Sequence, residues 1–210
     1  MQHYFILALL WILWCFLHSI LISRPVTRAL QHKLGSLFRY SRLSYNLISG
    51  ITLLPVLYFM YRIGGRTIIL WQGPALFMRY LFIVTGLLLF WLGAKRFDMG
   101  QFMGFAQIRS SNTHSVLSGS DEITTDGILG VIRHPWYTGS VLLLWGQDMD
   151  MAKLITVVIL TAYLVIGAFI EERKLVAEYG EAYIAYRQRV SMFIPVKWLS
   201  ASIKKGGKAP

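Results

Sequence analysis

Apolar residues fall into five blocks, parted by breaks rich in charge, glycine or proline. The blocks run over about Tyr4–Ile22, Leu43–Tyr61, Leu76–Phe97, Trp136–Trp145 and Met151–Ile170. Four of them reach the roughly 18–20 residues a helix needs to cross the hydrocarbon core of a bilayer. The Trp136–Trp145 block is too short to span alone. Only the five residues Gly146–Asp150 separate it from the next block, so the two predict a tight helical hairpin over 136–170. No period-two alternation points to a barrel. The breaks have chemical causes. Pro25 ends the first block, Gly64-Gly65 and Gly73-Pro74 mark a turn at 62–75, and Ser110-Ser111-Asn112 and Ser118-Gly119-Ser120-Asp121 mark loops within a polar stretch at 98–132. The tail from Glu171 is amphipathic, breaks at Pro195 and ends in lysines.

The pattern predicts an all-α, polytopic integral membrane protein with about five transmembrane helices and no internal repeat. Residues 1–97 would supply three helices, and 98–210 a cofactor-binding, catalytic region with the hairpin and a cytoplasmic tail, in one integrated domain. The first block has no basic segment before it and no small-residue cleavage site after it, so it reads as a retained helix, not a signal peptide.

Of 210 residues, 55% are hydrophobic, more than a soluble domain usually carries. The net charge of +11 then speaks for the cytoplasmic side of a membrane and contact with anionic lipid. Nucleic-acid binding is not expected, because no basic stretch is interleaved with aromatics in a polar domain. With the basic 24–42 stretch inside, only Arg62, Arg66, Arg79 and Lys153 lie toward the far side, against the other seventeen of twenty-one Lys and Arg. The C-terminal polar clusters then face the cytoplasm, or, in a bacterium, the inner side of the inner membrane. The lone Cys15 excludes a disulfide within the chain and reads as a packing residue. The five scattered histidines show no metal-ligand spacing. No phosphate-cradling Gly-Lys-Ser/Thr loop is present either.

Two polar clusters sit at corresponding ends of adjacent apolar blocks: Arg133-His134-Pro135-Trp136-Tyr137, and Glu171-Glu172-Arg173-Lys174. Read alone, the first is a membrane-edge cap with interfacial aromatics. Read chemically, Arg133 and His134 at a helix start suit an anionic group. Two acids at the end of an apolar helix oppose its dipole, which favours a cationic partner. Tyr179, Tyr183 and Tyr186 share a helix face, either as a packing stripe or as an aromatic wall able to attract a sulfonium. Arg187 and Arg189 either anchor at the surface or reach back to an anionic group. His18 lies inside the first apolar block, with Tyr45-Asn46 as a candidate partner. Gln107 and His114 are left open between loop and site.

The ordered motifs resemble those of the isoprenylcysteine carboxyl methyltransferase superfamily. They are Arg133-His134-Pro135-x-Tyr137-x-Gly139, Glu171-Glu172-x-x-Leu175, Tyr179-Gly180-x-x-Tyr183-x-x-Tyr186-x-x-Arg189-Val190 and Phe193-Ile194-Pro195. His18-Ser19, Arg42-Leu-Ser-Tyr45-Asn46 and Ala162-Tyr163-x-x-x-Gly167 are most similar to its nurim, methanethiol S-methyltransferase and NnrU-like branch. Ser191 departs from the pattern, where proline is more usual. The resemblance implies an S-adenosyl-L-methionine cofactor. Gly127, Arg133, His134, Pro135, Tyr137, Glu171, Tyr183 and Tyr186 would bind it, and Glu172, His18 and Arg187 are the candidates for a catalytic part. It also implies a methyl acceptor, a small or lipophilic thiol entering from the bilayer among its lipids. Carboxyl O-methylation of a prenylcysteine-like acceptor and a non-catalytic membrane scaffold are the alternatives. A nicotinamide-dependent reductase is weaker, since the chain has too few helices.

Overall fold

The computed structural model describes residues 1–96, 99–110 and 125–206. His114 and the 118–121 loop signal lie outside them. The helices are α1 (Gln2–Leu21), α2 (Arg24–Leu34), α3 (Ser41–Arg62), α4 (Ala75–Ala94), α5 (Met99–Met103), α6 (Phe105–Ser110), α7 (Pro135–Trp145), α8 (Met151–Tyr179), α9 (Glu181–Arg189) and α10 (Val196–Gly206), with short 3-10 turns at Gly35–Tyr40 and Gly127–Gly130. Among the described residues there is no strand, only two isolated bridges. Four helical stretches are long and apolar enough to cross a membrane: Gln2–Leu21, Arg24–Arg62, Ala75–Ala94 and Met151–Tyr179. The chain is thus an all-α polytopic membrane protein. At 11 residues α7 is only about 16 Å long, half the thickness of the hydrocarbon core.

Two expectations change. The basic stretch 24–42, a break between apolar blocks in the sequence, is helical: Pro25 opens α2, and Val26, Ala29, Leu30 and Leu34 give it an apolar stripe. The apolar helix also does not stop at Ile170. It continues to Tyr179 and ends at Gly180, whose φ of 56° is a glycine conformation. Glu171 and Glu172 therefore sit inside α8, and the opposing-dipole reason for a cationic partner falls away, because that field acts within the last turn.

The chain forms two compact units. The first comprises Met1–Leu70, 99–110 and Asp148–Leu160. Its core gathers Leu7, Trp11, Val56 and Ala152, with Tyr4, Leu53 and Ile159 against them. Water cannot satisfy polar groups at this depth, so each needs a partner in the protein. Trp11 Nε1 donates to Thr156 Oγ1 at 2.7 Å, and Trp14 Nε1 to the Ser49 carbonyl at 3.2 Å. His18 Nδ1 lies 3.1 Å from Ser49 Oγ, and its Nε2 2.6 Å from the Tyr45 hydroxyl. Tyr45 is thus the partner its position suggested, while Asn46 Nδ2 donates instead to the Met103 carbonyl at 3.2 Å. Cys15 is buried as a packing residue.

The second unit comprises Trp71–Arg96, 125–147 and 161–206. Small residues let α4 and α7 approach closely, as helices do where lipid offers no hydrophobic drive. A Cβ on Gly86 would lie 3.0 Å from the Gly139 carbonyl, and one on Gly93 would fall inside the Trp136 indole. That indole donates to the Phe90 carbonyl at 3.1 Å and stacks on the Phe90 ring. α7 lies antiparallel to the second half of α8: Trp145 Nε1 reaches Thr161 Oγ1 at 3.1 Å, and Tyr137 reaches Glu171 at the other end. This contact brings the two polar clusters together.

Candidate active site

The polar centre of the second unit forms where the start of α7 meets α8. Gly127 opens the approach with a φ of +59°, a conformation that disfavours a side chain. A Cβ there would also meet Arg96 Nη2 at 2.6 Å, and Arg96 Nη1 pairs with Asp126 Oδ2 at 2.5 Å. The chain then docks by its backbone on the segment after α9. Arg133 N donates to the Ser191 carbonyl at 2.9 Å and His134 N to the Met192 carbonyl at 3.1 Å. Pro135 follows at the first turn of α7, where an amide hydrogen would have no intrahelical acceptor. Backbone pairing on one side and a proline on the other fix where Arg133 and His134 project.

Arg133 projects onto Glu172. Its Nε donates to Glu172 Oε1 at 2.6 Å, its Nη2 lies 2.6 Å from the same oxygen, and its Nη1 donates to the carbonyls of Arg187 and Val190. Both side chains are almost fully buried, with 6% of Arg133 and 3% of Glu172 exposed. His134 is buried too, its Nε2 3.3 Å from Glu172 Oε1 and its ring edge-on to Tyr137. Arg187 closes the cluster from α9, with its Nε 3.1 Å from Glu172 Oε2. That contact is an ion pair out of line for a hydrogen bond, so among the described residues Oε2 is a buried carboxylate oxygen with no hydrogen-bond donor. Beside it, the Tyr137 hydroxyl donates to Glu171 Oε2 at 2.7 Å.

Tyr183 and Tyr186 stand behind this wall. They are buried with Val190 against Leu175, Val176 and Tyr179, their rings edge-on at 5.6 Å. The Tyr186 hydroxyl donates to the Leu129 carbonyl at 2.6 Å, fastening α9 to the turn ahead of Arg133. Burial, opposed by Arg133 and reinforced by Glu172, raises its phenol to about 12, so it stays a proton donor. Tyr183 is also raised, first by burial and then by Glu172.

In front of the wall lies a cavity of about 440 Å³, within the range of small-molecule sites. It is lined by Arg133, Arg187, Gln188, Ser191, Lys197 and apolar Ile184 and Met192. Lys197 gave no signal in the motifs, although it follows Pro195 by two residues. Its Nζ donates to the Arg187 carbonyl at 2.6 Å, and its backbone amide to Ser191 Oγ at 3.0 Å. Ser191 therefore uses its departure from the family pattern to cap the turn into α10. The cavity presents two guanidiniums and an ammonium, while the buried Glu172 carboxylate and His134 imidazole, which contact Arg133 or one another, lie outside its lining. A ligand with an anionic group fits that lining. Among the described residues no His, Cys, Asp or Glu cluster could hold a metal.

The structure thus gathers Arg133, His134, Tyr137, Glu171, Glu172 and Arg187 around one centre, and gives Gly127 and Pro135 backbone parts in it. His18 lies in the first unit with Ser49 and Tyr45.

A family model described as phospholipid methyltransferase matches residues 81–182. Methanethiol S-methyltransferase from Pseudomonas sp. (strain GM41(2012)) is 39% identical over 31% of this chain and 25% of its own length. Methanethiol S-methyltransferase 2 from Bradyrhizobium diazoefficiens is 29% identical over 73% of this chain and 59% of its own. Protein-S-isoprenylcysteine O-methyltransferase from Schizosaccharomyces pombe is 29% identical over 47% of this chain and 46% of its own. The chain spans about a quarter of the first relative and less than two thirds of the other two. No solved structure matches it.

Proposed function

We propose that this chain, which carries a domain of the phospholipid methyltransferase family, is an integral membrane methyltransferase that uses S-adenosyl-L-methionine to methylate a small or lipophilic thiol. The observation that carries the reading is the buried Glu172 carboxylate clasped by Arg133 and Arg187, whose guanidiniums line a cavity that also presents Lys197. Glu172 Oε2 has an acceptor position to spare, which suits the donor's ammonium. Arg133, Arg187 and Lys197 suit its carboxylate. When bound, the donor supplies an electrophilic methyl group on a sulfonium.

The protein's own part is to orient and to exclude water. Arg133 holds Glu172 and, through the Arg187 and Val190 carbonyls, the end of α9, so the cavity wall is pre-formed. Tyr137 and Glu171 hold the α7–α8 contact on the next turn. His134 places its imidazole Nε2 3.3 Å from Glu172 Oε1, and we assign it the proton that the thiol gives up. We assign no step to His18, whose ring nitrogens face Ser49 and Tyr45. The excess of Lys and Arg supports a cytoplasmic site. Relatives named for methanethiol, and membrane-spanning helices that give access from lipid, support an apolar thiol acceptor.

Purified full-length protein incubated with labelled donor and a panel of methanethiol, longer alkyl thiols and a prenylcysteine should label thiol sulfur. Label on the prenylcysteine carboxylate would replace the thiol reading with O-methylation, the reaction named for the Schizosaccharomyces pombe relative. No label on any acceptor would contradict both.

A further inference from the structure

α10 contributes Lys197 to the cavity, and the rest of the helix lies outside its lining. It follows the site segment directly, through Pro195, and every described side chain from Val196 to Lys204 is exposed. Yet it is not polar. Val196, Leu199 and Ile203 recur at helical spacing and are 57%, 47% and 74% exposed, with Trp198 beside them at 47% and Ile194 just ahead. Lys197 and Lys204, seven residues apart, share the other side, and Lys205 follows in the sequence. The helix has three lysines and no acid. A stable water-facing helix would not keep four large apolar groups in the open beside a uniform positive charge. That combination belongs at a bilayer surface, where the apolar stripe enters the acyl boundary, the indole sits at headgroup level and lysines meet lipid phosphates.

We infer that α10 is an in-plane docking helix for an anionic lipid leaflet, at the membrane face where the Arg133–Glu172 cluster lies. The charge selects the occupant. A neutral leaflet would bury the stripe but leave the Lys204 charge unanswered, and a soluble anion would answer that charge but leave the stripe exposed. The helix is joined to the site at its first turn, where Lys197 donates to the Arg187 carbonyl and to Ser191 Oγ. Docking therefore fixes one wall of the cavity from outside. Lipid charge near the surface adds to binding for each lysine that faces it.

Amide hydrogen exchange of the α10 peptide tests this, with the full-length protein in nanodiscs of phosphatidylcholine alone or with added phosphatidylglycerol. No methyl donor is present, so the outcome is independent of the methyltransferase reading. Exchange over 198–204 should be about tenfold slower in the anionic discs. Ile203→Glu should remove that difference, and Lys204→Arg should retain it. Equal exchange in the two discs would overturn the inference. So would protection that inorganic phosphate reproduces in phosphatidylcholine discs, or protection that survives Ile203→Glu. Slow exchange in both discs alike would mean that the helix is covered without anionic lipid, and would overturn the inference too.

Discussion

Replacing Glu172 with glutamine is expected to abolish donor binding and to cost about 3 kcal/mol of stability, the lower end for breaking a buried ion pair by removing one partner. The glutamine oxygen could still accept from Arg133 Nε, so the shape survives. What is lost is the negative charge between two guanidiniums. Arg133 is 6% exposed and cannot turn to water, so its charge would stay buried without compensation. Arg187 is 44% exposed and adds less, because solvent screens it. A second variant separates folding from function. Arg133→Met with Glu172→Met removes both charges, and apolar pairs of similar volume often replace buried ion pairs at little cost. Thermal unfolding of the double variant should return most of the way to wild type, while donor binding stays absent. Binding retained by the double variant would mean that the pair is structural only.

Gly93→Ala is the second large effect. In an exposed helix this exchange is favourable by about 1 kcal/mol, because alanine loses less backbone freedom. Here the sign should reverse. The added methyl would fall inside the Trp136 indole, which is held by the Phe90 carbonyl and the Phe90 ring and has nowhere to move. Overpacking of this kind costs about 1–3 kcal/mol. Trp136 follows His134 and Pro135, so the shift would also reach the site. The unfolding midpoint in detergent should fall, and Trp136→Ala should rescue it in part. A Gly93→Ala protein as stable as wild type would show that α4 and α7 do not pack as described.

Most of this architecture is legible as hydrophobic pattern. The first three long blocks become α1, α3 and α4 with ends shifted by a few residues, because blocks of about twenty predominantly apolar residues leave a helix little alternative. α2 is harder to read, since its six polar residues outnumber its four-residue apolar stripe and the stripe shows only at a 3.6-residue period. α8 runs past its apolar block because its last turns bury Leu175 and Val176 beneath the α9 tyrosines, a tertiary effect invisible in local composition.

In the site, the pairs Arg133–Glu172 and Tyr137–Glu171 are foreshadowed by the motifs, because a short hairpin must bring its two open ends together. The parts played by backbone carbonyls are not foreshadowed. Nothing in the sequence says that Leu129, Arg187 and Val190 offer oxygens to Tyr186 and Arg133. Lys197 hides among terminal lysines that look like a membrane-edge tail. Gly127 carries no sign that it yields space to Arg96.

The central claim is that the clasped Glu172 and its cavity form the methyl-donor site. Titration calorimetry of S-adenosyl-L-methionine into the full-length protein tests it most directly, with folded Arg133→Met/Glu172→Met as the control. The account predicts saturable, one-site binding to the wild type and none to the control. No heat of binding to the wild type at millimolar donor, or equal binding by both proteins, would contradict it.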